Sequence, residues 1–163
     1  MLQDLLKKVV KLEKAVSLVT SWKAQGGRVV WTNGVFDLLH QGHIEYLCEA
    51  RALGDHLVVG VNTDASVRRL KGPSRPIHDQ NSRALQLAAM QAVDLVILFE
   101  GDTPLPEIES IQPDYLVKGG DYNPEQIVGR NFVKGHGGQV VVIPFVDGFS
   151  TSRIIEKIKK LNL

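Results

Sequence analysis

Thr32-Asn33-Gly34-Val35-Phe36-Asp37-Leu38-Leu39-His40-Gln41-Gly42-His43-Ile44-Glu45-Tyr46-Leu47 decides how the rest of this 163-residue chain is read. Just ahead of it, Arg28-Val29-Val30-Trp31 is apolar and reads as the first buried strand of a sheet. Ile44 to Ala50 then has helical spacing. Between the two, Asn33-Gly34 suits a tight turn with positive φ, and His40-Gln41-Gly42-His43 sits where the helix begins. A strand-to-helix junction with a glycine and two histidines suggests an anion site. Glycine lets a phosphate approach the backbone, and a helix start offers unpaired N–H groups with a partial positive charge.

Two histidines three residues apart near a helix start can face one way. Zinc binding would need a third and a fourth ligand. The single cysteine, Cys48, lies five residues on and is expected on a different helical face. Solvated or capping histidines in a turn are the bland alternative. The third reading is phosphate chemistry, with both imidazoles donating hydrogen bonds to an oxyanion.

Working outward, the remaining chain alternates strand and helix. Leu2, Leu5, Leu6, Val9, Val10, Leu12, Val16 and Val19 largely follow helical spacing, so residues 3–24 read as one or two amphipathic helices ending at Gly26-Gly27. They are expected to pack on the domain's own sheet, with a dimer contact or a link to a fused domain as the sharper alternative. Residues 1–27 are accordingly set apart as an N-terminal helical segment, and 28–163 as the main domain. Further apolar strands are predicted at 56–61, 94–99, 114–118 and 139–145, of the continuous kind that parallel sheets bury on both faces. Helices are predicted from Ala65, over 81–92, over 103–111, at 131–135 and after Ser150. Asp64 stands at the carboxyl end of the second strand, where it either caps a helix or meets a ligand. Arg68-Arg69-Leu70-Lys71-Gly72-Pro73-Ser74-Arg75-Pro76 holds four cations and two prolines and reads as a mobile basic loop, able to close over a triphosphate. Arg83 falls in a helix's first turn, where the dipole disfavours a cation, and this hints at another use. The expected fold is a three-layer α/β domain with a five-stranded parallel sheet and its ligand at the carboxyl edge.

Composition sets wide bounds. Apolar residues make up 44% and charged residues 23%, ordinary for a globular protein, and the net charge of +1 gives no reason to propose a nucleic-acid or membrane surface. One cysteine excludes an intrachain disulfide framework and fits a reducing cytosol. No apolar run approaches a membrane span and no signal-peptide pattern opens the chain, so a cytoplasmic location is expected.

The opening stretch resembles the first signature of the HxGH nucleotidyltransferases, which include cytidylyl- and adenylyltransferases. Asn-Gly, Phe-Asp, Leu-Leu-His and Gly-His all stand at that family's spacing. Phe149-Ser150-Thr151-Ser152 resembles its second signature, with Ser152 replacing the usual threonine. Leu70-Lys71-Gly72-Pro73, Arg75-Pro76, Val117-Lys118-Gly119-Gly120-Asp121-Tyr122 and Asp147-Gly148 resemble the subgroup that adenylates heptose 1-phosphate, here as a stand-alone form. The arginine that glycerol-phosphate cytidylyltransferases carry before the second signature has no counterpart in Phe145-Val146-Asp147-Gly148.

The resemblance implies sheet order 3-2-1-4-5 and transfer of AMP from ATP to a sugar phosphate with release of pyrophosphate. It implies that His40, His43, Lys71 and Arg83 are catalytic, contacting or neutralising the phosphates. Thr32, Asn33, Gly34, Phe36, Gly42, Lys118, Gly119, Asp121, Ser150, Thr151 and Ser152 would bind the nucleotide, and Asp37, Asp64 and Arg75 the acceptor. Mg²⁺ would arrive with the triphosphate, held by phosphate oxygens and water, with no protein metal cage. A homodimer is expected on the same ground. Two rivals remain: a cytidylyltransferase acting on a small polyol or amino-alcohol phosphate, and a nucleotide-binding module without catalysis.

Overall fold

A computed structural model describes residues 1–120, 122–144 and 148–161. Five strands, β1 (Val29–Gly34), β2 (His56–Asn62), β3 (Leu95–Phe99), β4 (Tyr115–Gly119) and β5 (Gln139–Ile143), form one sheet in the order β3-β2-β1-β4-β5. Every pairing is parallel. Successive residues of a strand point to opposite faces, and the two faces carry separate cores. On one, Val30, Leu57, Val59 and Val96 pack with Leu47 and Ala50 of α3 (Gln41–Arg51) and Leu87 of α5 (Gln80–Ala88). On the other, Val29, Trp31, Val58 and Ile97 meet Ala15 and Val19 of α2 (Leu12–Ala24), Ile108 and Ile111 of α6 (Leu105–Ile111), and Val133 of α7 (Arg130–Gly135). Helix, sheet and helix make three layers.

The N-terminal stretch forms two helices, α1 (Leu2–Leu6) and α2, with extended chain between them. That chain runs along the outer edge of β3: Val10 N–H donates to Val96 O at 3.0 Å, and Val96 N–H donates to Lys8 O at 2.9 Å. An edge strand's unpaired groups are thereby covered.

Three local expectations are corrected. The stretch from Arg68 to Lys71 is helical, closing α4 (Asp64–Lys71), and only Gly72, at φ +94°, ends the helix. Arg, Leu and Lys are good helix formers, and their cationic ends suit a helix C-terminus. Thr63, not Asp64, caps α4, its hydroxyl accepting from Ser66 N–H at 3.3 Å. Asn33 and Gly34 stay in β1, and the positive φ falls instead on Phe36, at +49°. A side chain at position 34 would meet the Phe36 ring at 3.1 Å, so glycine there lets the ring fold back.

β1 and β4 pair only at Val30–Tyr115 and Trp31–Leu116. Chain order reverses between these two strands, and beyond Leu116 they part. Parallel sheets open their ligand crevice at such a point, outside the carboxyl ends.

Candidate active site

A cavity of about 610 Å³ lies at this carboxyl edge. Its centre is the start of α3. His40 is the residue before the first helical turn, in extended conformation and making no side-chain cap. The Gln41 and Gly42 N–H groups therefore keep no acceptor among the described residues. Gly42 is needed for close approach, since a Cβ there would meet the His40 ring and Phe149 Cβ, each at 3.2 Å.

The His40 and His43 rings stack with centroids 3.9 Å apart and planes 27° from parallel. Phe36 lies against His43 at 5.5 Å, and Phe149 beside His40 at 6.2 Å. Burial pushes the His40 imidazole below its usual range; burial and then the charge of His40 bring His43 down to about 4. Both rings are neutral at pH 7. Nδ1 of each is sealed from solvent without a partner. A proton there would be a buried donor lacking an acceptor, so it sits on Nε2, the edge turned to the cavity.

Facing the histidines is α8 (Thr151–Lys159). Ser150 caps it, its Oγ accepting from Arg153 N–H at 3.2 Å. Ser150, Thr151 and Ser152 line the cavity, as do Lys118 and Gly119 from the end of β4. Burial lowers the Lys118 ammonium below its usual range. Two helix starts, two imidazole donors and a half-buried lysine thus converge on one space, an arrangement suited to a polyanion.

Residues 31–157 match the cytidylyltransferase-like family. The chain belongs to that family. It is 54% identical over 152 residues to bifunctional protein HldE of Geotalea uraniireducens, and 56% identical over 151 residues to that of Citrifermentans bemidjiense. Each alignment takes in 93% of this chain and 31% of the relative, so the chain spans about a third of the length of the curated proteins it matches. The crystal structure of a lipopolysaccharide core biosynthesis protein from Thermoplasma volcanium is 33% identical, covering 74% of this chain and 98% of that one, with a TM-score of 0.61. A pantoate-beta-alanine ligase from Francisella tularensis, 13% identical over 95% of this chain and 78% of that one (TM-score 0.59), shares the fold.

Most residues expected to form this cytidylyltransferase-like site do line the cavity: Asn33, Gly34, Phe36, Asp37, His40, Gly42, His43, Lys71, Arg75, Lys118, Gly119 and Ser150 to Ser152. Asp121 and Asp147 lie outside the described residues. Three others stand elsewhere. Thr32 is fully buried beneath the histidines, its hydroxyl 2.5 Å from Tyr46 Oη, which also donates to Val117 O. Burial pushes that phenol up to about 12. This floor ties α3 to β1 and β4.

Arg83, expected at the phosphates, has no exposed surface. Its guanidinium donates to His78 O at 3.0 Å, to Val35 O and Asn62 O at 2.8 Å each, and to Asp64 Oδ1 at 2.8 Å. Asp64 is thereby engaged as Arg83's partner rather than turned to a ligand. The arginine binds together the ends of β1 and β2, the start of α4 and the segment before α5.

Asp37 and Arg75 also satisfy each other. Arg75 Nε lies 2.7 Å from Asp37 Oδ2, and Ile77 and His78 N–H groups donate to the same carboxylate at 2.8 and 2.9 Å. Burial alone would raise the Asp37 carboxyl, but the His78 and Ile77 N–H groups and Arg75 outweigh it and hold it below the usual range. The basic segment expected to swing over a triphosphate is therefore pinned at Arg75 to His78. Lys71, exposed at the end of α4, is left as its cation at the cavity.

The cavity also takes in Tyr46, Asn62, Phe99, Asp102 and Thr103, which the sequence reading did not select. Tyr46 was open to detection, since it lies three residues after His43 and so on the same helical face. The other four come from the ends of β2 and β3 and the following loop, and no motif marks them.

Proposed function

We propose that this chain transfers AMP from ATP to a sugar 1-phosphate, releasing pyrophosphate, with heptose 1-phosphate as the acceptor suggested by the resemblance. The observation that carries this reading is the pair of neutral imidazoles whose Nε2 edges share a cavity with the open start of α3 and the hydroxyl-rich start of α8. The high identity to the HldE proteins and the likeness to a lipopolysaccharide core biosynthesis protein support it.

In the reaction, an acceptor phosphate oxygen bonds to the α-phosphorus as the bond to the α–β bridging oxygen breaks. That oxygen leaves with the electron pair as pyrophosphate. No side-chain nucleophile is required, so catalysis consists of positioning and charge stabilisation. His40 and His43 donate from Nε2–H to oxygens that gain charge, and, being neutral, they do so without first giving up a proton. Thr151, Ser152 and the α8 N–H groups hold the departing phosphates, while Lys71 and Lys118 offset charge. Arg83 acts by positioning Val35, Asn62 and Asp64. Among the described residues no cluster of His, Cys, Asp or Glu is arranged to cage a metal. Mg²⁺ would be brought by the triphosphate and would supply positive charge to the reacting groups.

Base choice would be made where β4 parts from β1. Lys118 is spent on the ladder to β5 and Gly120 N–H is given to Ile143 O, which leaves the backbone groups of Gly119, on the side where β1 has parted, to meet an adenine. A smaller pyrimidine would leave some unpaired, at about 1–3 kcal/mol each. Pyrophosphate release with ATP or CTP against a panel of phosphorylated acceptors tests the proposal. The expected result is turnover with a sugar 1-phosphate and kcat/KM for ATP at least about tenfold above CTP. A preference for CTP, or turnover only with a polyol or amino-alcohol phosphate, would favour the cytidylyltransferase alternative. No release with any pair would leave a nucleotide-binding module.

A further inference from the structure

The cavity extends past the histidines to the ends of β2 and β3, beyond the groups assigned above to the nucleotide. Its best-built element is Asn62, the last residue of β2, only 5% exposed. Its Nδ2 donates to Ser66 Oγ at 3.0 Å, and that hydroxyl donates to Gly101 O at 3.1 Å. The backbone carbonyl of Asn62 is occupied by Arg83 at 2.8 Å. The amide is thus locked, yet its Oδ1 accepts nothing among the described residues and is not sealed in the protein. A buried, oriented acceptor left open to a cavity is a binding group.

Beside it, the loop after β3 is held from α4. Arg69 Nε donates to Asp102 Oδ1 at 2.9 Å and Arg69 Nη2 donates to Glu100 O at 2.5 Å. Asp102 Oδ2 and the Thr103 hydroxyl make no hydrogen bond among the described residues, and both residues line the cavity. Phe99 and Pro104 give the same arm an apolar wall. Fixed acceptors and a hydroxyl along one side of an apolar surface match a ligand with an apolar ring face and a hydroxylated rim.

In-line displacement also fixes the side of approach. A pyrophosphate held at the start of α8 would require the incoming oxygen to reach the α-phosphorus from the side opposite it, and the residues that end β2 and β3 line the same cavity. We propose that Asn62, Asp102 and Thr103 form the subsite that reads the hydroxyls of the acceptor sugar, with Phe99 and Pro104 against its ring. The proposal rests on the transfer reading given above and deepens it.

The test uses the full chain with ATP and either mannose 1-phosphate or D-glycero-β-D-manno-heptose 1-phosphate. Thr103→Val is an isosteric loss of one hydroxyl at an exposed loop. It should raise KM for the sugar phosphate about five- to tenfold and leave KM for ATP within about twofold. Asn62→Ala should raise the acceptor KM further, with thermal melting showing whether the loss of its tie to Ser66 has harmed the fold; if it has, Thr103→Val decides. An unchanged acceptor KM, or equal shifts for ATP and acceptor, would overturn the subsite while leaving the transfer reading intact. If the wild type turns over no sugar 1-phosphate, calorimetric binding of the heptose 1-phosphate beside a non-hydrolysable ATP analogue separates the two ideas. Binding weakened by Thr103→Val would sustain the subsite and sink the transfer reading. No binding would sink both.

Discussion

The two edges of the sheet treat their polar groups in opposite ways. At the amino edge, three aspartates stand one residue ahead of a strand, and each closes a two-bond latch on the neighbouring chain. Asp55 N–H donates to Arg28 O and its Oδ2 accepts Arg28 N–H, both at 2.8 Å. Asp94 does the same with Leu57, at 3.0 and 2.7 Å, and Asp114 with Val29, at 2.8 and 2.7 Å. At the carboxyl edge, His40 and His43 keep Nδ1 unpaired, the α3 start is uncapped and Phe36 holds a positive φ. Such strain persists only where the surroundings over-determine it. The contrast separates the groups that fix the strands from those held ready for a ligand. Latches are nonetheless built at the open edge, Asp37 with Arg75 and, as the larger exception, Arg83.

That exception yields the largest expected effect. Arg83→Leu removes four donors and leaves Asp64 and three carbonyls without their partner, which should cost about 3–5 kcal/mol. Asp114→Ala, at the closed edge, should cost about 1–3 kcal/mol and leave kcat of the folded protein unchanged. Urea unfolding with parallel kinetics checks both. A fully stable but inactive Arg83→Leu would return that arginine to direct phosphate contact and dissolve the comparison.

A second consequence concerns pH. The unfolded His43 imidazole takes up a proton near its ordinary 6.5, whereas the folded one resists until about 4. Between those values the unfolded state binds more protons, so stability falls as pH drops through the window and is unaffected above it. The loss reaches roughly 3 kcal/mol by the lower end. Thermal melts from pH 7 to 4.5 should therefore be steeper for the wild type than for His43→Gln. Parallel curves would mean that the folded imidazole is not held neutral.

These edges were unequally legible in the sequence. The five strands were plain because each is a continuous apolar run, although the order β3-β2-β1-β4-β5 came through resemblance. His40, His43 and Ser150 to Ser152 were legible because each set lies within one local strand-to-helix or loop-to-helix junction. Arg83 was not, since its carbonyl partners come from Val35, Asn62 and His78, and only the folded chain brings these together. Arg68 to Lys71 misled by charge: a cationic run beside prolines looks like loop, yet its residues favour helix and the break waits for Gly72. Asn62 stood with Asp64 at the carboxyl end of the second strand, where such sheets place ligands, but only Asp64 was singled out. Thr103 carried no local signal, because its proximity to Asn62 depends on how β2 and β3 end side by side.

The most direct measurement is kcat for pyrophosphate release by His43→Ala at pH 8, where imidazole protonation no longer affects stability. Loss of one preformed donor to a phosphate oxygen should lower kcat by about 10²–10³, with the melting temperature held close to that of the wild type. An unchanged kcat in a well-folded His43→Ala would contradict a catalytic role for the paired imidazoles.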